Sequence, residues 1–228
     1  MPADPAIRRA VADLAIVLGA IGVAWILSRW FIYPAIGIPD YAPLIPRPVT
    51  GFLAAWWVLH WRGTSWKSLG LATPAPFWRA VVIAIALYVA EMAVSQWVVP
   101  AMAQLFQPTQ RPSFLGHLRG NAAALAFWLA ISWLVGGICE ECLFRGFLLN
   151  RIEALLGGSR AALAIAAIAQ ALLFGSLHLY GGTFAFMYAT IFGLLYAIFY
   201  LLARRNLWPV IVVHALRDCL AFWSVYSS

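Results

Sequence analysis

Long apolar runs along the chain alternate with short polar, glycine-rich or proline-rich breaks. Runs near the ~20 residues needed to cross a bilayer read as helical spans. They fall at about 10–31, 49–61, 78–99, 121–153, 159–179, 183–203 and 207–226. The second is under-length unless it starts near Leu44. Between them lie a segment at 33–50 with Pro34, Pro39, Pro43, Pro46 and Pro48, read as a loop or broken piece, and a polar linker at 62–76 with Lys67. Segment 100–120, carrying Arg111, His117 and Arg119, reads as a loop or surface helix. Gly157-Gly158, Gly181-Gly182 and the basic turn Arg204-Arg205-Asn206 supply the remaining breaks. No internal repeat is visible. The pattern predicts an all-α polytopic transmembrane helical bundle of about seven spans, or eight if 33–61 or 100–120 hides another. Residues 1–228 read as a single integral-membrane domain.

Composition sharpens this reading. Of 228 residues, 64% are hydrophobic and 10% charged, with a mean hydropathy of +0.86. Soluble domains carry about 25% charged residues. The spans leave no room for a soluble domain. The net charge of +7 is spread over loops, with no basic cluster long enough for a nucleic-acid patch. Nucleic acid is therefore excluded as a partner and membrane lipid is expected. Twelve Trp and eight Tyr suit interfacial belts. Cys139, Cys142 and Cys219 lie in apolar helices and read as small packing residues. The first apolar run is too long for a cleavable signal peptide and lacks a small-residue cleavage site. With seven spans, Arg8, Arg9, Arg62, Lys67, Arg79, Arg151, Arg160, Arg204 and Arg205 share one side, against Arg29, Arg47, Arg111 and Arg119 on the other. That excess predicts a cytoplasmic N-terminus.

Against this background the charges inside apolar runs stand out. Glu140, Glu141 and Arg145 fall within six positions of the fourth run, where each charge costs roughly 2.5–3.5 kcal/mol on insertion scales. Glu141 and Arg145, at i,i+4, share a helical face and can pair. Glu140 is rotated about 100° away. The spacing assigns Glu141 a structural role and leaves Glu140 for chemistry. A buried ion-pair network that only fixes packing is the alternative. The fifth run places Phe174 under His178 at i,i+4, and the seventh places His214 and Asp218 on one face beside Arg217. Glu91, mid-way along the third run, reads as a packing residue or as a partner of Arg217. Asp13, four residues after Arg9, reads as half of a local ion pair. Ionisable groups in lipid should converge in the bundle interior. Two Glu, two His, one Asp and an Arg around a wet cavity supply a general base, a proton shuttle and oxyanion donors. For that set to converge in depth, the fifth helix must start outside the hydrocarbon or tilt strongly.

The ordered motifs EExxxR (Glu140, Glu141, Arg145), FxxxH (Phe174, His178) and HxxxD (His214, Asp218), with FRGFLLNR and NLWPVIVVHAL around them, resemble the CPBP family of intramembrane proteases. That family covers CAAX prenyl endopeptidases and bacteriocin-processing or self-immunity proteins. The resemblance spans about residues 120–225, the motif-bearing catalytic core. The CAAX-processing branch typically has Asn where this chain has Asp218. The resemblance implies an endopeptidase that hydrolyses peptide bonds of membrane-associated substrates, prenylated CAAX-type or leader-peptide-type, by glutamate-activated water. It implies Glu140, Glu141, Arg145, His178, His214 and Asp218 as the catalytic set, and a peptide or protein substrate at the membrane as partner. The location it implies is a prokaryotic plasma membrane; it leaves the oligomeric state open. The family is often labelled a metalloprotease family. Glu140, His178 and His214 would then hold a divalent metal such as zinc, with water fourth. HExxH is absent, and the same residues can serve a hydrolase without metal. Two other classes fit buried Glu, His and Arg: a proton- or ion-coupled transporter, which usually shows internal repeats, and a non-proteolytic membrane chaperone or regulator of the same fold.

Overall fold

The computed structural model describes residues 5–36, 45–72, 76–108 and 113–228. Pro39, Pro43 and Arg111 lie outside them. The described residues form seven main helices and no strand: α1 Pro5–Ile32, α2 Pro46–Trp61, α3 Phe77–Phe106, α4 Ala122–Leu155, α5 Arg160–Ser176, α6 Gly182–Leu202 and α7 Trp208–Tyr226. Five segments are long and apolar enough to cross a membrane: α1, α3, α4, Leu179–Leu202 with α6, and α7. α2, with 16 residues, and α5, with 17, are shorter. The outward faces are apolar. Trp97 is 74% and Leu105 76% exposed, whereas Phe144, Phe147, Leu149 and Ile211 are buried. Large apolar side chains facing outward in such number fit an integral membrane protein.

Three boundaries depart from the hydropathy pattern. α2 begins at Pro46, so 46–50 are helical although the segment reads as a loop. A proline in the first turn loses no hydrogen bond, because that N–H has no intrahelical partner. α1 begins at Pro5, ahead of the predicted start at 10, and α3 runs to Phe106, past the predicted end at 99; each holds a wide, π-type turn, Ser28–Ile32 and Val94–Val98. Each wide turn sits just before a proline, Pro34 or Pro100, that cannot donate to the preceding turn. Residues 100–106 are therefore helical, and His117 sits exposed in a short 3₁₀ turn, Ser113–Leu118.

Cross-links at one end of the bundle show how the helices turn back on one another. Asp13 of α1 does not take Arg9. It bonds Arg62 at 2.9 Å and Arg151 at 3.0 Å, so three helices share a carboxylate that is 2% exposed. Beside it, Arg205 of the α6–α7 turn bonds Glu153 at 2.8 Å and Asn150. The Leu207 N–H donates to the Gly70 carbonyl at 3.0 Å. At the opposite end the Gly120 N–H donates to the Tyr226 carbonyl at 3.1 Å, and the Asn121 side chain caps α4.

Candidate active site

The site is organised by α4, which winds wide through Ser132–Glu140 and again through Cys142–Leu148, on either side of Glu141. Such insertions are frequent at functional sites. No proline explains them here, though Gly136, Gly137 and Gly146 lie within them. The i,i+4 contact survives the altered winding: an Arg145 guanidinium nitrogen donates to Glu141 Oε1 at 2.9 Å. Both side chains are 0% exposed. A buried pair stands only if further partners offset its desolvation, and several are present. Arg145 donates to the Gly193 carbonyl at 3.2 Å, and its guanidinium lies 4.7 Å from the Phe174 ring centre and 5.3 Å from that of Tyr196. Glu141 Oε1 also accepts from His214 Nδ1 at 2.6 Å.

That last bond fixes the orientation of His214. A carboxylate only accepts, so Nδ1 carries a proton and Nε2 is the atom presented to the cavity. Nε2 lies 3.9 Å from Glu140 Oε2 and 3.7 Å from Asp218 Oδ2. Both separations exceed a direct hydrogen bond and match groups that share a bridging molecule. Gly136 leaves room for Asp218, since a Cβ there would stand 2.7 Å from Asp218 Oδ2, and Gly137 lets α4 approach α7, where a Cβ would stand 3.1 Å from the Ile211 carbonyl oxygen.

His178 stands elsewhere than the hydropathy pattern puts it. α5 ends at Ser176, and His178 opens the turn that follows. The last carbonyls of a helix lack intrahelical donors. Two of them are met by side chains: His178 Nδ1 lies 3.0 Å from the Phe174 carbonyl, and Arg47 donates to the Leu177 carbonyl at 3.1 Å. Because a carbonyl only accepts, Nδ1 of His178 also carries the proton. The Phe174 ring packs 4.8 Å from His178, as its spacing predicts, and 6.2 Å from His214. One aromatic ring thus supports both imidazoles.

These groups surround one cavity of about 450 Å³. Glu140, His178, His214, Asp218 and Arg217 line it, Arg145 closes its floor while staying buried, and Glu141 lies behind. Trp128, Val135 and Phe222 supply apolar wall, and Ile45 and Tyr180 mark the end towards the α5–α6 turn. His178 stands past the end of a short helix and lines the same cavity as Glu140 and His214.

A second layer holds the cavity's far wall. Glu91 of α3, 0% exposed, accepts from the Tyr196 hydroxyl at 2.5 Å and lies 3.3 Å from Arg217 Nε, which is the partnership its position suggested. Arg217 stacks over Phe192 at 4.2 Å and Tyr188 at 5.0 Å. Sequence reasoning missed this aromatic ladder, although Tyr188, Phe192 and Tyr196 repeat every fourth residue on α6. It also took Arg47 only as a loop charge.

Among the described residues no three His, Cys, Asp or Glu side chains stand in a grouping that could hold a metal ion. Glu140, His178 and His214 line one cavity, with His214 Nε2 3.9 Å from Glu140 Oε2, but as arranged they do not form such a grouping.

An all-helical membrane bundle with a cleft of about 450 Å³, lined by ionisable and apolar side chains in its motif-bearing half, is thus the class that fold and site define. Residues 122–220 match the family model of Rce1-like type II CAAX prenyl endopeptidases. The match covers all three motifs and bears out the resemblance to the CPBP intramembrane proteases. No curated protein and no solved structure matches the chain significantly.

Proposed function

We propose that the chain is an intramembrane endopeptidase of CAAX type that hydrolyses a peptide bond with water activated by Glu140. The observation that carries this reading is the triangle of Glu140 Oε2, Asp218 Oδ2 and His214 Nε2, whose sides from the imidazole are 3.9 and 3.7 Å, in one cavity with His178. A water held in that triangle loses its proton to Glu140 as it attacks the scissile carbonyl. His178, with Nδ1–H tied to the Phe174 carbonyl, offers Nε2 to assist that transfer. His214, held by Glu141, faces the tetrahedral intermediate, and as an imidazolium it donates from Nε2 to the oxyanion. Asp218, as a carboxylate, cannot donate and orients His214 or the water. Arg145 holds Glu141 in place. The proton taken by Glu140 passes to the leaving amine, which closes the cycle. The apolar wall of Trp128, Val135 and Phe222 suits a membrane-borne, prenylated C-terminal peptide.

The test is cleavage of a prenylated CAAX peptide by the full chain in lipid vesicles. Glu140→Gln should lose activity by about 10²–10⁴-fold, the span of general-base catalysis, with an unchanged unfolding temperature. Wild-type cleavage by that variant would refute the role.

A further inference from the structure

A second cavity, of about 490 Å³, opens at the opposite end of the bundle from the α5–α6 turn, where α6 turns into α7. Three separate segments bring cations to it: Lys67 from the turn after α2, Arg79 from the first turn of α3, and Arg204 and Arg205 from the α6–α7 turn. Of the described acidic residues only Glu153 reaches this group, and it takes Arg205 at 2.8 Å. Among the described residues Lys67, Arg79 and Arg204 have no carboxylate partner.

The cations are held in place by backbone. Gly70 ends the turn after Lys67 with φ +106°, and a Cβ there would stand 1.9 Å from the Arg205 carbonyl oxygen. Only glycine lets the two turns close on each other. The Gly70 carbonyl then accepts the Leu207 N–H at 3.0 Å, and the Leu69 carbonyl accepts the Tyr200 hydroxyl at 3.0 Å. Arg204 and Arg205 adopt left-handed φ values of 57° and 60°, a strain that persists only where the surroundings impose it. α3 begins at the rim with no side chain capping its first turn, so its positive end adds to the field.

The depth of the cavity in the membrane narrows the choice of ligand. Phe77 and Trp78, beside Arg79, are 71% and 65% exposed at the start of a membrane span. Exposed aromatics at a span's end mark the headgroup level. Ala80, Ile83 and Ala203 give the cavity an apolar floor. We propose that this cavity binds the headgroup phosphate of an anionic phospholipid, with Lys67, Arg79 and Arg204 around the phosphate and the glycerol end on that floor. Basic pockets between membrane helices suit such headgroups. The site is separate from the cleft and does not rest on the proteolytic reading.

The test uses the full chain in neutral detergent, titrated with phosphatidylglycerol, phosphatidylcholine and inorganic phosphate. Bound lipid is counted by native mass spectrometry and the fold followed by thermal unfolding. Phosphatidylglycerol should bind in preference to phosphatidylcholine, and Lys67→Gln and Arg204→Gln should each reduce that preference about fivefold. Both residues are exposed, and Arg205 is left intact to keep its Glu153 bond, so unfolding without lipid should not shift. Exposed Arg8 and Arg9 lie on the same face outside the cavity; an equal loss in Arg8→Gln/Arg9→Gln would mean diffuse surface charge and overturn the site. Equal binding of the two lipids, or full preference in the Lys67→Gln/Arg204→Gln double variant, would also overturn it. Inorganic phosphate displacing phosphatidylglycerol at matched concentration would reassign the cavity to a soluble anion and refute the lipid.

Discussion

The two cavities are nearly equal in size, about 450 and 490 Å³, and opposite in how they handle charge. Around the cleft two fully buried carboxylates are answered: Glu141 by Arg145 on its own helix and by His214 across from it, and Glu91 by Arg217 and Tyr196. At the basic end Arg205 is paired, while among the described residues Lys67, Arg79 and Arg204 have no carboxylate partner. Depth explains the difference. Inside the hydrocarbon an unanswered charge is costly, so ions persist there only in networks. At headgroup level water and lipid phosphate answer cations from outside the protein. In the reading proposed above, the bonded ions of the cleft form the working centre and the cations without a carboxylate meet lipid, while the Asp13 network shows that cross-helix bonds also serve the fold alone.

Substitutions can break this contrast, and the largest effect is expected for Glu140→Gln in the cleavage assay described above. Next comes Arg145→Ala, which strands Glu141 as a buried charge. It should destabilise the fold by about 3–5 kcal/mol, read as a lowered unfolding midpoint in detergent. Tyr196→Phe removes one bond to a carboxylate and should cost about 1.5–3 kcal/mol, with activity falling because Arg217 is less well held. Gly136→Ala forces a methyl to within 2.7 Å of Asp218. The tip of that side chain can move aside, so stability should change little and the effect should appear in kcat as a displaced Asp218. At the small end, Lys67→Gln and Arg204→Gln should leave stability and detergent activity unchanged and alter lipid preference alone. A stability loss at Lys67 equal to that at Arg145 would erase the contrast.

Much of the bundle was legible in the hydropathy pattern, and the reason is specific. Interruptions such as Gly157-Gly158 and Arg204-Arg205-Asn206 fall where apolar runs reach bilayer length, so the later helices α5 to α7 begin within one residue of their predicted starts. Spacing also exposed the Glu141–Arg145 and Phe174–His178 contacts, because both depend only on local helix geometry. What stayed hidden depended on distant partners. Asp13 sits four residues from Arg9, yet its bonds go to Arg62, just past the end of α2, and to Arg151 of α4. Arg47 looked like a loop charge because five prolines masked the start of α2, although proline is at home in a first turn. The wide winding of α4 left no periodic signature, since glycines permit it without demanding it.

If Glu140 and His214 act on one water, a double-mutant cycle will show it. Residues that act as a unit lose function non-additively. Cleavage of a prenylated peptide should be compared for Glu140→Gln, His214→Ala and the double variant, each checked for an intact fold. The account predicts that the double variant is no slower than the slower single variant. Losses that multiply would show two independent sites of action and contradict it.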